Sequence, residues 1–496
     1  MKDMKNEIIE MSVCSLVSAL KSRKINAAEV TDAYLNRINE TEPELNAYIT
    51  VTEKAALAGA SLADEMIKNC TGGSLCGVPF AIKDNIAISG VPMTCASEML
   101  RGFIPCYTAT AVEKVTSGGG ILLGKTNMDE FAMGSSCEKS VFGAVHNPLD
   151  TKRSAGGSSG GSAASVAAHS APWALATDTG GSARQPASFC GVVAMKPTYG
   201  LVSRYGVVAF ASSLDTLCPV TRDVSDNAAV LSAIAGHDRR DMTSSRVPHK
   251  DYQDSITRGV NGMNFCVPPG VRDLCETGVS VSLDRAVSML ERLGARVDYL
   301  GDGEIPSFDT MLDVYIVTAS SECSSNLARF DGIRYGYTET SPDYGTIMKK
   351  SRSSGFGDEV RRRIIAGTYA LSSSYGGGCY TKAKDIRAHI TETVDVILSR
   401  YDAVILPTTS GVTFPLGTFN DDPTSLYASD KFAVMANLTG CPALTLPCGG
   451  DDGLPHGLMI MGRRFSEDVI YRAAYALEDA LAGYVREEVA TPAFSL

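Results

Sequence analysis

Histidine is scarce in this chain, with six in 496 residues, at positions 146, 169, 237, 249, 389 and 456. Most stand in loop-like or charged stretches, which argues against a hydrolase built on a Ser-His-Asp triad. The 14 cysteines include no Cys-x-x-Cys pair. That excludes a zinc ribbon and a thioredoxin-like dithiol, predicts no metal site, and suits reduced, buried thiols. No apolar run approaches the roughly 20 residues needed to span a bilayer, and the charged first ten residues predict no secretory leader. These absences predict a cytoplasmic protein with no membrane partner. Basic residues are outnumbered, 45 Lys+Arg against 56 Asp+Glu for a net charge of −11, and no long Lys/Arg run occurs. A phosphate-binding face of the chain's own is therefore not expected.

What is present is a large apolar complement, 44% hydrophobic against 20% charged residues, enough for a substantial core. Length alone would suit about three domains or one large enzyme domain. Helical spacing of apolar residues runs through 8–66. Beyond it, short apolar runs at 78–82, 121–123, 173–177, 265–267, 296–300, 403–406, 444–447 and 458–461 read as strands. They alternate with helical stretches at 162–168, 282–293, 360–370, 382–398 and 468–481, and 301–309 and 410–430 read as loops. Such alternation predicts one α/β domain whose sheet is sandwiched by helices, with a helical N-terminal arm.

Three pattern matches fail in context. Gly119-Gly-Ile-Leu-Leu-Gly-Lys-Thr126 fits the P-loop spacing, but its loop positions are apolar and look like a strand. Gly156-Gly-Ser-Ser-Gly160 fits a nucleophile elbow, but the polar lead-in at 150–155 cannot be the required buried strand. Ser136-Cys-Glu-Lys139 has a Ser-x-x-Lys spacing without its Lys-Thr-Gly partner, and reads as a solvated surface turn.

Chemistry gathers instead in two Gly/Ser-rich loops, Gly156-Gly-Ser-Ser-Gly-Gly-Ser162 and Thr177-Asp-Thr-Gly-Gly-Ser-Ala-Arg184. Glycines at strand–helix junctions let backbone amides face a cleft unobstructed. The amides of Thr179, Gly180, Gly181 and Ser182 could meet one oxyanion, with Ser182 beside them as nucleophile; a linker or a simple anion nest is the plainer account. A base is offered by Lys83, which ends the apolar run of Gly77-Val-Pro-Phe-Ala-Ile-Lys83. Strand alternation turns it away from Ile82 and Asp84, where desolvation would lower its pKa; a strand-end lysine facing water is the commoner arrangement.

The stretches 77–85, 156–163 and 178–186 resemble the three core motifs of the amidase signature family, and the likeness extends over nearly the whole chain. The stretches 124–135, 196–206, 208–215 and 324–332 resemble the branch formed by the glutaminase subunits of tRNA-dependent amidotransferases. The resemblance implies an α/β fold with a mixed, mostly parallel central sheet covered by helices on both faces. It divides the chain into an arm at 1–68 and the amidase unit at 69–496. It also implies a triad of Ser182 as nucleophile, Ser158 as bridging serine on a cis Gly157–Ser158 peptide, and Lys83 as base.

For glutamine, the resemblance assigns Arg363 to the α-carboxylate and Asp430 to the α-ammonium, with Tyr315 lining the pocket. Arg361 and Arg362 are one-step alternatives, and an exposed arginine triplet on a helix is otherwise usually a solvated face. The implied activity is hydrolysis of glutamine, with ammonia passed on to convert Glu-tRNA(Gln) to Gln-tRNA(Gln). The implied partners are a transamidating B-type subunit, which would use ATP and magnesium and hold the tRNA, and a small C-type subunit. No cofactor is implied for this chain. A free-standing amidase and a non-catalytic assembly scaffold are the rival readings. The sequence departs from the branch at Ser374-Tyr-Gly-Gly-Gly-Cys-Tyr380, Ala155, Ile316 and Met435.

Overall fold

A computed structural model describes residues 2–248, 250–372, 377–420 and 422–492. Among the described residues, eleven strands form one sheet. In chain order they are β1 (Tyr48–Val51), β2 (Pro79–Lys83), β3 (Ile121–Thr126), β4 (Trp173–Asp178), β5 (Val193–Lys196), β6 (Thr216–Thr221), β7 (Asn264–Val267), β8 (Arg296–Tyr299), β9 (Ala403–Pro407), β10 (Ala443–Asp451) and β11 (Leu454–Gly462). Their spatial order is β1-β3-β2-β4-β6-β5-β10-β11-β9-β7-β8. Every residue of β2, β3, β4, β6, β9 and β11 is buried, as expected of strands covered on both faces.

The sheet is mixed but not mostly parallel. Four neighbouring pairs are parallel (β2–β3, β2–β4, β7–β8, β7–β9) and six antiparallel (β1–β3, β4–β6, β5–β6, β5–β10, β10–β11, β9–β11). Part of the cause is local: β10 and β11 are joined directly by Asp452-Gly453, both in the left-handed region. An Asp-Gly turn of that kind twists two strands into a hairpin, which must be antiparallel. The stretch 8–66 is also not helical throughout. Tyr-Ile-Thr-Val at 48–51 forms β1 between the helices Ala27–Leu45 and Glu53–Lys68, and pairs with β3 at the sheet edge.

The strands that carry the functional loops lie together. β2 is flanked by β3 and β4, so the C-terminal end of β2, at Lys83, and that of β4, at Asp178, open on the same edge of the sheet. The only tryptophan, Trp173, starts β4 and stacks on Phe80 of β2 with ring centroids 4.8 Å apart. The helices Gly160–Ala167 and Arg184–Cys190 follow the two Gly/Ser loops and pack on the sheet and on each other. No described helix is long and apolar enough to cross a membrane.

Candidate active site

Two lysines stand near the C-terminal ends of adjacent strands, Lys83 last in β2 and Lys125 next to last in β3, and meet different fates. Lys125 on β3 is fully buried and ion-paired with Asp84 at 3.0 Å. This disposes of the P-loop match, whose apolar positions are indeed strand. Lys83 on β2 is equally buried but forms no ion pair among the described residues. Its Nζ lies 2.8 Å from Ser158 Oγ, 2.7 Å from Ser159 Oγ and 3.4 Å from the Thr177 carbonyl. Burial disfavours the ammonium and lowers its pKa to about 8, against the opposing field of Cys137, Asp129 and Asp178. The strand-end lysine therefore faces the interior and not water.

Ser158 sits in the first Gly/Ser loop, and the Gly157–Ser158 peptide is cis. The loop is cradled so closely that a Cβ on Gly157 would lie 2.1 Å from Asp129 Oδ2. The same Asp129 carboxylate accepts from the amides of Cys137, at 2.9 Å, and Lys139, at 3.1 Å. That folds the 136–139 turn inward, so the stretch expected on the surface begins with a buried Ser136. Ser159, not singled out by sequence, holds Lys83 as closely as Ser158 does, and its hydroxyl donates to Thr177 O at 3.0 Å.

The second loop is organised by Asp178, the last residue of β4. Its carboxylate accepts from the amides of Gly181 at 2.9 Å and Ala183 at 3.2 Å, and pairs with the Arg184 guanidinium at 2.9 and 3.0 Å. Asn437 closes the network, donating to Asp178 Oδ1 at 3.0 Å and accepting from Arg184 at 2.7 Å. Burial alone would raise the Asp178 pKa, but Arg184 overrides it and holds the carboxyl well below the usual range. The Gly181 amide is thus already engaged. The amides of Thr179, Gly180 and Ser182 make no hydrogen bond among the described residues, leaving three donors where four were expected. Thr179 is anchored through its hydroxyl to Asp215 at 2.7 Å. The Ser182 carbonyl accepts from the Ser159 amide at 3.0 Å, which ties the loops together, while its own hydroxyl has no partner among the described residues.

Removing Arg184 should strand Asp178 as an uncompensated charge in the core. Arg184→Leu is expected to destabilise the fold by about 3–5 kcal/mol, the usual cost of breaking a buried ion pair on one side. A urea titration reads this as a lower midpoint, and an unchanged midpoint would contradict the assignment.

Of the three residues expected to bind substrate, Tyr315 and Asp430 stand against the same loop, and Arg363 lies within electrostatic reach of both. A Cβ on Gly180 would lie 2.4 Å from Tyr315 Cζ, and one on Gly181 would lie 3.2 Å from Asp430 Oδ1. Asp430 receives the Ser135 hydroxyl on Oδ2 at 2.5 Å, while its buried Oδ1 has no hydrogen bond. Burial pushes its pKa up to about 8. Of the arginine triplet, Arg361 and Arg362 have 44% and 47% of their side chains exposed and pair with Asp358 and Glu359 one turn back, whereas Arg363 is buried. Its Nε donates to Glu359 at 2.8 Å, its guanidinium lies 4.2 Å from the centroid of the Tyr427 ring, and its Nη1 has no acceptor. The site therefore holds one orphaned cationic N–H and one orphaned carboxylate oxygen. Ser135, Glu359 and Tyr427, which position these groups, carry no local sequence signal, because they meet their partners only in three dimensions.

No described histidine shares a hydrogen bond with Lys83, Ser158, Ser159 or Ser182; His146, His169 and His456 bond elsewhere. Among the described residues, no group of three His, Cys, Asp or Glu side chains is placed to hold a metal ion. The departures at Ala155 and Met435 are buried in the core; of the departure at 374–380, residues 374–376 lie outside the described residues and the rest opens the helix Gly377–Arg400.

A family model described as "Amidase" matches residues 29–470. The chain is 48% identical over 476 residues to the glutamyl-tRNA(Gln) amidotransferase A subunit of Caldanaerobacter subterraneus subsp. tengcongensis, covering 96% of this chain and 97% of that one. Its fold is similar to the crystal structure of the glutamyl-tRNA(Gln) amidotransferase A subunit from Thermotoga maritima, with a TM-score of 0.81, 37% identity and 99% of both chains covered. It is also similar to the native peptide amidase of Stenotrophomonas maltophilia, with a TM-score of 0.82, 29% identity, and 98% of this chain and 99% of that one covered.

Proposed function

The chain belongs to the amidase family, and on that premise we propose that it is the glutamine-hydrolysing subunit of a tRNA-dependent amidotransferase. The observation that carries the substrate is a pair of orphaned groups, Asp430 Oδ1 beside the Ser182 loop and Arg363 Nη1 in the electrostatic field of Asp430. A guanidinium N–H suits an α-carboxylate and a carboxylate suits an α-ammonium, so Arg363 and Asp430 are complementary to the amino-acid end of glutamine. Each buried group left unpaired is costly, and a ligand that pairs both recovers that cost.

Catalysis then follows from the triad. Ser182 Oγ bonds to the carboxamide carbon as its proton passes to Ser158 Oγ and the Ser158 proton passes to neutral Lys83 Nζ. The carbonyl electron pair moves onto oxygen, where the free amides of Thr179, Gly180 and Ser182 donate to it. Collapse breaks the C–N bond, and the proton returns through Ser158 to the departing nitrogen, which leaves as ammonia. Water repeats the sequence on the acyl-enzyme and frees glutamate. Ser159 keeps Lys83 beside Ser158 throughout, and Tyr315 walls the pocket.

The subunit reading is supported by the match to amidotransferase A-type chains along nearly the whole of both sequences. It places this chain with a B-type and a small C-type partner, the B-type using ATP and magnesium to amidate Glu-tRNA(Gln). A net charge of −11 suits a chain that leaves the tRNA to its partner. A cytoplasmic location follows from the same role.

Co-expression with candidate partners tests it. A co-purified complex is expected to amidate Glu-tRNA(Gln) with glutamine as nitrogen source, and Arg363→Ala to raise KM for glutamine about 30–100-fold, the value of a charge-assisted hydrogen bond. The same change should leave 4-aminobutanamide, which lacks the α-carboxylate, unaffected. Efficient, tRNA-independent turnover by the isolated chain of an amide other than glutamine would point to a free-standing amidase and sink the subunit reading.

A further inference from the structure

Gln185 stands three residues after Ser182, on the helix Arg184–Cys190, and is fully buried. Its side-chain amide touches three separate segments. Oε1 accepts from the Gly157 amide at 2.9 Å, and Nε2 donates to the Ser135 carbonyl at 2.8 Å and to Ser429 Oγ at 3.4 Å. These partners fix the orientation of the group, with its oxygen toward an N–H and its nitrogen toward a carbonyl. The space is full, since a Cβ on Gly156 would lie 2.6 Å from Gln185 Oε1.

Each partner is one step from a functional group. Gly157 directly precedes Ser158. Ser135 holds Asp430 through its hydroxyl at 2.5 Å. Ser429 directly precedes Asp430. We infer that Gln185 is a positioning residue that sets the Asp430 carboxylate and the Ser158 loop in register, joining recognition of the substrate's amino group to the proton relay. The inference rests on the reading of Asp430 as the seat of that amino group.

Two substitutions separate this role from simple packing. Gln185→Met keeps the length of the side chain but leaves the Gly157 N–H and the Ser135 carbonyl unpaired in a closed space. Gln185→Glu keeps an acceptor for Gly157. While protonated, its carboxyl also donates to the Ser135 carbonyl, and ionisation removes that donor.

The experiment measures kcat and KM of the full chain, with its co-purified partners, for glutamine and for glutaramate, which lacks the amino group. The wild type is expected to prefer glutamine. Gln185→Met is expected to lower kcat/KM about 100-fold for glutamine but only about tenfold for glutaramate, so the preference shrinks about tenfold. For Gln185→Glu, the glutamine kcat/KM relative to wild type is expected to fall about tenfold as pH rises and the introduced carboxyl ionises. Should Gln185→Met not fold, the pH dependence of Gln185→Glu decides alone. Equal losses for the two amides in Gln185→Met, or a flat pH ratio in Gln185→Glu, overturn the inference while leaving the glutaminase reading intact. A wild type indifferent to the amino group overturns the Asp430 reading, and the inference with it.

Discussion

Ser182→Ala is expected to lower kcat for glutamine hydrolysis by about 10⁴–10⁶-fold, because loss of a nucleophile disables a catalytic unit whose members act together. The structure makes this a clean test. The Ser182 hydroxyl has no hydrogen bond among the described residues and the residue is 8% exposed, so its removal breaks no internal contact of that kind. The loop itself is held from below by Asp178, Arg184 and Asn437, none of which the substitution touches. Thermal stability should therefore stay close to wild type while ammonia release stops. Trapping sharpens the result: with hydroxylamine present, the wild type should divert its acyl-enzyme to the hydroxamate, and Ser182→Ala should form none. Hydrolysis within about tenfold of wild type would remove Ser182 from the nucleophile position and overturn the triad.

The legibility of this site in the sequence was uneven, for physical reasons. Lys83, Ser158 and Ser182 lie in motifs whose glycines, strand ends and spacing are local, so they can be read from consecutive residues. Their interior supports cannot. Ser159 lies inside a legible motif, yet only the fold shows that Lys83 sits between two hydroxyls. Glu359 and Tyr427 meet around Arg363 from 68 residues apart, and Ser135 reaches Asp430 across 295. The arginine triplet shows the limit most plainly. Three identical neighbours differ only in which one the helix turns inward, and helical phase resolves this once the buried face is known.

The fold follows the same division. Strands β2, β3 and β4 were legible because each is a short apolar run between turn signals. β1 was not, because four residues between two helices with continuous apolar spacing leave no room for alternation to show. Parallel pairing was over-expected because the resemblance implied a mostly parallel sheet, whereas β10 and β11 join through a two-residue turn and pair antiparallel. The 136–139 turn departs from its reading only in its first half: the Asp129 carboxylate accepts from the Cys137 and Lys139 amides, and Ser136 and Cys137 are buried while Glu138 and Lys139 stay partly exposed.

Lys83→Met should lower kcat by about 10⁴-fold, the upper range for removing a general base, and the wild-type pH profile should carry the signature of the same group. The base is the neutral amine. With a pKa lowered by burial to about 8, its neutral share grows as pH rises through that value, so kcat should rise with pH to a plateau above about 8. Asp430 acts in the same direction at a different stage. Burial raises its pKa to about 8, and only the ionised carboxylate attracts the substrate's ammonium, so the competent share of free enzyme also grows with pH. Once glutamine is bound, the ammonium beside Asp430 keeps it ionised, and its titration drops out of kcat. The two profiles should therefore differ below the plateau: log kcat climbs with a slope near one, set by Lys83, and log kcat/KM with a slope near two, set by both groups. Asp430→Asn should bring the kcat/KM slope down to about one while leaving the kcat limb in place. A kcat flat from about pH 6 to 9 with chemistry rate-limiting would show that Lys83 is not the base.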